Sequence, residues 1–183
     1  PHHLYWKENP AEEEPSGERA CFTRTDNGWA EGFHPADVFL KNTHEVLGPL
    51  HYATAHDRLT QLDFLTADRA VRRARYGEGR DATTVIVNFG PEDVSVESEW
   101  GGEVVLPSWG FVIDSPGFTS FYAKRWNGRD YPDGALFTIQ SVKEKRLANA
   151  KTLRVFHAFG DPSVLWGGTR YSVQREEVID VDH

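Results

Sequence analysis

The run Trp126-Asn127-Gly128-Arg129-Asp130-Tyr131 brings two aromatic rings, an amide, a guanidinium and a carboxylate onto one short turn. Aromatic rings stack on the apolar faces of pyranose rings, and Asn, Asp and Arg bond the hydroxyl groups around them. Trp126, Asn127, Arg129, Asp130 and Tyr131 are therefore the candidate carbohydrate-binding residues. Trp100 beside Gly101-Gly102, Trp109 after Pro107, and Trp166 before Gly167-Gly168 have a similar but less polar setting. The competing reading for all of these rings is that they cap the ends of a β-sheet core.

Other chemistries find weaker support. Glu97 and Glu99 alternate onto one strand face, roughly 6–7 Å apart, close to the carboxylate spacings used in glycoside hydrolysis. Solvated strand faces carry the same alternation, so no catalytic pair is assigned. Among the eight histidines, His44 and His51 are seven apart and His51 and His56 five apart, and neither pair makes the i, i+4 zinc pattern. His157 with Asp161 would need distant partners to hold calcium or zinc, and no Asp-x-Asp-x-Asp-Gly loop is present, so no metal site is assigned. There is no Gly-x-Ser-x-Gly elbow, Cys21 has no neighbouring His, and Gly77-Glu78-Gly79 lacks the rest of a nucleotide fingerprint. No cofactor is expected.

The 183 residues carry 20 Lys and Arg against 28 Asp and Glu, a formal charge of −8, which disfavours nucleic acid as a partner. The Arg-rich stretch from Arg69 to Arg80 is the local exception, and its alternation with apolar residues suits the solvent face of a strand. A single cysteine excludes an intrachain disulfide framework, and no run of about 18 apolar residues marks a membrane span. A chain opening Pro1-His2-His3 and lacking methionine is expected to be trimmed or excised from something longer.

These residues must be held by a scaffold, and the periodicity outlines it. Residues 10–27 are polar and acidic with Pro and Gly punctuation, which predicts a loop. Val38, Phe39, Asn42, Val46, Leu47, Leu50 and Ala53 recur at spacings of three and four, with Pro35 and Asp37 suited to a helix start. Gly48-Pro49 predicts a kink or a split of the helix, the split giving two pieces, about 36–47 and 50–56. From about Leu59 the period becomes alternating, predicting strands at 61–65, 69–76, 83–89, 93–99, 103–106, 110–114, 118–125, 135–142, 151–158 and 170–181. Gly- and Pro-bearing turns separate them. The expected fold is mainly β, an antiparallel β-sandwich preceded by a loop-rich segment with one or two short helices.

The order Thr83-Thr84-Val85-Ile86-Val87-Asn88-Phe89-Gly90, an acidic turn, then Val104-Val105-Leu106-Pro107-Ser108-Trp109-Gly110-Phe111-Val112-Ile113 resembles the β-sandwich that follows the catalytic barrel of many glycoside hydrolases. Residues 37–51 look like the last helix of such a barrel, 64–77 like the opening strand of the following domain, and 135–141 with 153–161 continue the likeness. The resemblance implies a division into 1–60, the end of a barrel, and 61–183, the sandwich. It implies carbohydrate as ligand, an upstream catalytic domain as partner and a secreted or periplasmic setting. A chain with one convincing helical region cannot contain an eight-fold barrel, so no catalytic carboxylate carries over and this portion is expected to be non-catalytic. An independent carbohydrate-binding module and a small hydrolase with its own acidic site are the alternatives. A barrel-packing domain would leave an apolar patch around Val38, Phe39 and Val46, whereas a free module would bury that face and expose a row of Trp or Tyr.

Overall fold

The computed structural model describes residues 22–30 and 32–181. Expectations that rest on the first 21 residues, including most of the 10–27 loop and Cys21, lie outside them.

Helix α1 spans Pro35–Thr54, and its start follows the sequence signals. Pro35 occupies the first turn, where a missing N–H costs nothing, and the His34 ring nitrogen accepts the Ala36 N–H at 3.2 Å. Asp37 lies at the positive end of the helix dipole. Of the two outcomes expected at Gly48-Pro49, the split does not occur: one 20-residue helix runs through Pro49. The reason is tertiary. Val46 before the proline and Leu50 and Ala53 after it pack against the same sheet, and this contact offsets the one backbone hydrogen bond that the ring removes.

Twelve strands follow: β1 (Leu59–Phe64), β2 (Val71–Tyr76), β3 (Thr83–Asn88), β4 (Val94–Ser98), β5 (Gly102–Leu106), β6 (Phe111–Asp114), β7 (Phe118–Trp126), β8 (Arg129–Ser141), β9 (Thr152–Phe159), β10 (Ser163–Trp166), β11 (Thr169–Ser172) and β12 (Glu176–Asp180). Every pairing is antiparallel. Ten strands make one sheet, ordered β1-β2-β3-β6-β7-β8-β9-β12, with β5 attached to β7 and β4 to β5, and β10-β11 forms a separate hairpin. The mainly β, antiparallel, sandwich-like architecture is that expected. Two details differ. The β8 strand begins at Arg129 rather than 135, and the run predicted as one strand over 170–181 is divided between β11, which pairs with β10, and β12, which pairs with β9. Strand β10 itself carries no alternation long enough to see in the sequence.

Alternation along the strands sends side chains to two cores. One cluster includes Ile86, Val104, Leu106, Phe121, Trp126, Phe137, Ile139, Val155 and Trp166. The other, on the face under α1, includes Val46, Phe111, Ile113, Phe118, Leu136, Phe156 and Phe159, with Phe22, Trp29 and Leu50 against it. The helix thus shares a core with the sheet, and packing is continuous across residue 60.

The Asn88 motif has a structural explanation. Asn88 is fully buried, and its amide nitrogen donates to the carbonyls of Glu92, Leu106 and Pro107 at 2.7, 3.2 and 3.0 Å while its oxygen accepts from Gly90 N–H at 2.9 Å. One side chain ties the end of β3 to the turn before β4 and to the Leu-Pro end of β5. Gly110 is required by the same corner, because a Cβ there would lie 2.5 Å from the Pro107 ring.

Candidate functional site

Along α1, His44, Gly48 and Tyr52 are four apart and form one ridge, with Gly48 leaving a notch between two ring-bearing side chains. Opposite this ridge the β6–β7 turn (Ser115, Pro116, Gly117), the end of β8 (Gln140, Ser141) and the following Glu144 and Lys145 complete a cleft of about 820 Å³. Tyr52 is 89 % exposed, so its ring is open to a ligand.

The floor of the cleft is set by a charge network. Glu45, buried on α1, accepts from Arg154 of β9 through both oxygens at 2.7 and 3.0 Å, and from Lys41 at 2.7 Å. Arg154 also donates to Glu176 of β12 at 2.8 Å. Burial pushes the Glu45 carboxyl up, but the Arg154 and Lys41 bonds outweigh it and hold the group below its ordinary range. The Arg154 guanidinium is pushed further up by Glu45 first, with Glu176 adding to it. Each of the three guanidinium nitrogens of Arg154 is engaged by Glu45 or Glu176, so this network fixes the cleft wall, and Tyr52, His44, Gln140, Glu144 and Lys145 line the cleft around it.

The residues singled out from the sequence lie elsewhere. Trp126 is 0 % and Tyr131 1 % exposed. Trp126 stacks on Phe121 at 4.5 Å and on Trp166 at 6.3 Å, and the Tyr131 hydroxyl donates to the Ser163 carbonyl at 3.1 Å. Neither ring presents a face for stacking on a sugar, because both fill the core under the β7–β8 turn. Asn127 donates to the Leu165 carbonyl at 2.9 Å, and Arg129 pairs with Asp161 at 2.7 Å. Of the five, Asp130 is the exposed one, 3.6 Å from Arg125. Trp166 is buried as well, and Trp100 donates to the Ser115 carbonyl at 3.1 Å.

Glu97 and Glu99 line a second cleft of about 300 Å³ with Asp114, Arg73, Arg75 and Gln61. Burial pushes the Asp114 carboxyl up, although it accepts the Glu99 N–H at 2.8 Å and the Ser98 hydroxyl at 3.0 Å. Arg73 is neutralised by Asp63 at 2.6 Å.

His157 and Asp161 do not converge. His157 is buried against Phe137 at 4.7 Å, and burial pushes its pKa down, while Asp161 bonds Arg129 and the Ser163 N–H. Among the described residues no group of three or more His, Cys, Asp or Glu is placed to hold a metal ion, and no helix is long and apolar enough to cross a membrane.

The Tyr52 cleft was missed in the sequence because its walls come from segments about 60–100 residues apart; the helical spacing of His44, Gly48 and Tyr52 was the available signal. Protein-family models, curated proteins and solved structures yield no match to this chain.

Proposed function

We propose that the chain is a non-catalytic, sugar-contacting β-sandwich of a carbohydrate-active enzyme, the C-terminal portion of a glycoside hydrolase, and that it meets glycan in the Tyr52 cleft. The observation that supports this reading is the combination in one cleft of an exposed ring with hydroxyl-bonding side chains, Gln140, Glu144, Lys145 and His44. This is the arrangement that recognises a saccharide: ring face against ring face, hydrogen bonds at the edge. Val46 packs on the protein's own sheet and Val38 is buried, which on this face is the outcome expected of an independent carbohydrate-binding module, the alternative form of the same glycan-contacting reading.

Isothermal titration of glycans drawn from an array screen tests the reading. Tyr52→Ala is expected to weaken binding about tenfold, the effect of losing roughly 1.4 kcal/mol of stacking, while Trp126→Phe leaves affinity unchanged. Absence of any glycan ligand, or binding indifferent to Tyr52, would sink it.

A second reading, a small hydrolase, draws on the cleft where Asp114, whose carboxyl burial pushes up, stands with Glu97 and Glu99. Hydrolysis of a glycan by the purified chain, lost in Asp114→Asn, would favour it over the first.

A further inference from the structure

The ten-stranded sheet has two ends, β1 and β12, and they differ in chemistry. Strand β1, Leu-Thr-Gln-Leu-Asp-Phe, pairs among the described residues only with β2. Its face shared with α1 carries Leu62 and Phe64, 54 % and 47 % exposed. Beside them stand Arg69 and Arg72, whose guanidinium groups lie 5.4 and 6.0 Å from the Phe64 ring, Arg72 also lying 4.7 Å from Phe89. Neither arginine is in an ion pair among the described residues, whereas Arg24, Arg73, Arg129, Arg146 and Arg154 each have a carboxylate partner. Asp63, on the opposite face of β1, is neutralised by Arg73.

Strand β12, Glu-Glu-Val-Ile-Asp, pairs among the described residues only with β9. The register Glu176↔Phe156 and Val178↔Arg154 puts Glu176, Val178 and Asp180 on the face shared with α1, and Val178 is 64 % exposed. Glu176 is partly neutralised by Arg154 and Lys41, but Glu177 and Asp180 have no ion-pair partner among the described residues, so the edge stays acidic.

A bare strand edge offers a row of unpaired N–H and C=O groups to another strand, and across such a pairing opposite charges attract while like charges repel. We propose that the two ends are complementary between copies of this chain: β12 of one molecule adds antiparallel to β1 of the next. Antiparallel addition brings the Glu176 and Glu177 end of β12 to the Arg69 and Arg72 end of β1, and sets Val178 beside Leu62 and Phe64. The two joined surfaces are different, so the contact is heterologous and propagates instead of closing as a two-fold dimer. A pairing of five or six residues is small, so the association is weak and concentration-dependent. It stands apart from the glycan reading, and either can fail alone.

The test is sedimentation velocity of the full chain at low salt over roughly 10–500 µM, the range of weak interfaces. The weight-average mass is expected to rise with concentration. Leu62→Glu, which sets like charge on β1 against the acidic β12, and Val178→Lys, which sets like charge on β12 against Arg69 and Arg72, should each remain monomeric, with circular dichroism confirming the fold. Mixed together, these variants should form a 1:1 complex and go no further, because each retains the end the other has lost. Should Leu62→Glu lose its fold, Arg72→Glu takes its place, with an expected weakening of at least tenfold. A wild-type chain that stays monomeric throughout, association that survives both charge variants, or a mixture that fails to pair would each overturn the proposal.

Discussion

His157 is a titratable ring placed where charge is costly: buried, packed against Phe137, with its Nε2 lacking a hydrogen-bond partner among the described residues. Burial lowers its pKa, and backbone contacts, led by the Gln174 carbonyl, only partly offset this. The sign follows from linkage. Below the ordinary histidine value of about 6.5 the unfolded chain takes up a proton that the folded chain refuses, so acidification drains stability. One such site supplies a slope of at most about 1.4 kcal/mol per pH unit. His157→Phe keeps the ring and removes the proton site. Urea titrations from pH 7.5 to 5 should show a shallower loss of stability in this variant, and an unchanged slope would mean that His157 is not the acid-sensitive group.

At the scale of elements, α1 shows how tertiary packing overrides a local signal. Gly48-Pro49 reads as a break, yet the helix is continuous because its apolar residues on both sides of the pair meet one flat surface. The cost remains stored in the helix. Pro49→Ala restores a backbone donor in the turn containing Glu45 and is expected to raise stability by about 1–2 kcal/mol, less than the roughly 3 kcal/mol intrinsic penalty since the native helix has already relaxed around the ring. Thermal melting decides it, and a lowered Tm would show that the ring's contact with the cleft matters more than the lost hydrogen bond. The strands were more legible than the helix, because each strand's alternation reports its own burial. The exceptions were the start of β8, all of β10 and the division between β11 and β12, where the strand's extent follows its pairing partner and not its own alternation.

For the molecule as a whole, Glu45 joins three elements: its own helix, β9 through Arg154, and, by way of Arg154, β12. Removing its charge leaves Arg154 half-compensated in a partly buried position. Glu45→Gln should lower stability by about 3 kcal/mol, the usual cost of breaking a buried pair. Because α1 and the sheet share a core, helix signal in the far ultraviolet and aromatic signal in the near ultraviolet should be lost in one coincident transition. Two separate transitions would place a domain boundary near residue 60.

What the sequence determined by itself was the local grammar: apolar alternation, turn glycines and helix-start residues that act over a few positions and need no distant partner. It settled the mainly β antiparallel fold and most strand positions. Which aromatic rings face water was left to the tertiary structure. Trp126 and Tyr131 sit in a turn whose composition matches a sugar site, but stacking against Phe121, Trp166 and Phe137 takes them into the core. Tyr52, in an ordinary helix, is left open. Exposure depends on what segments far along the chain bring to each side of a ring, and no window of neighbouring residues contains that information.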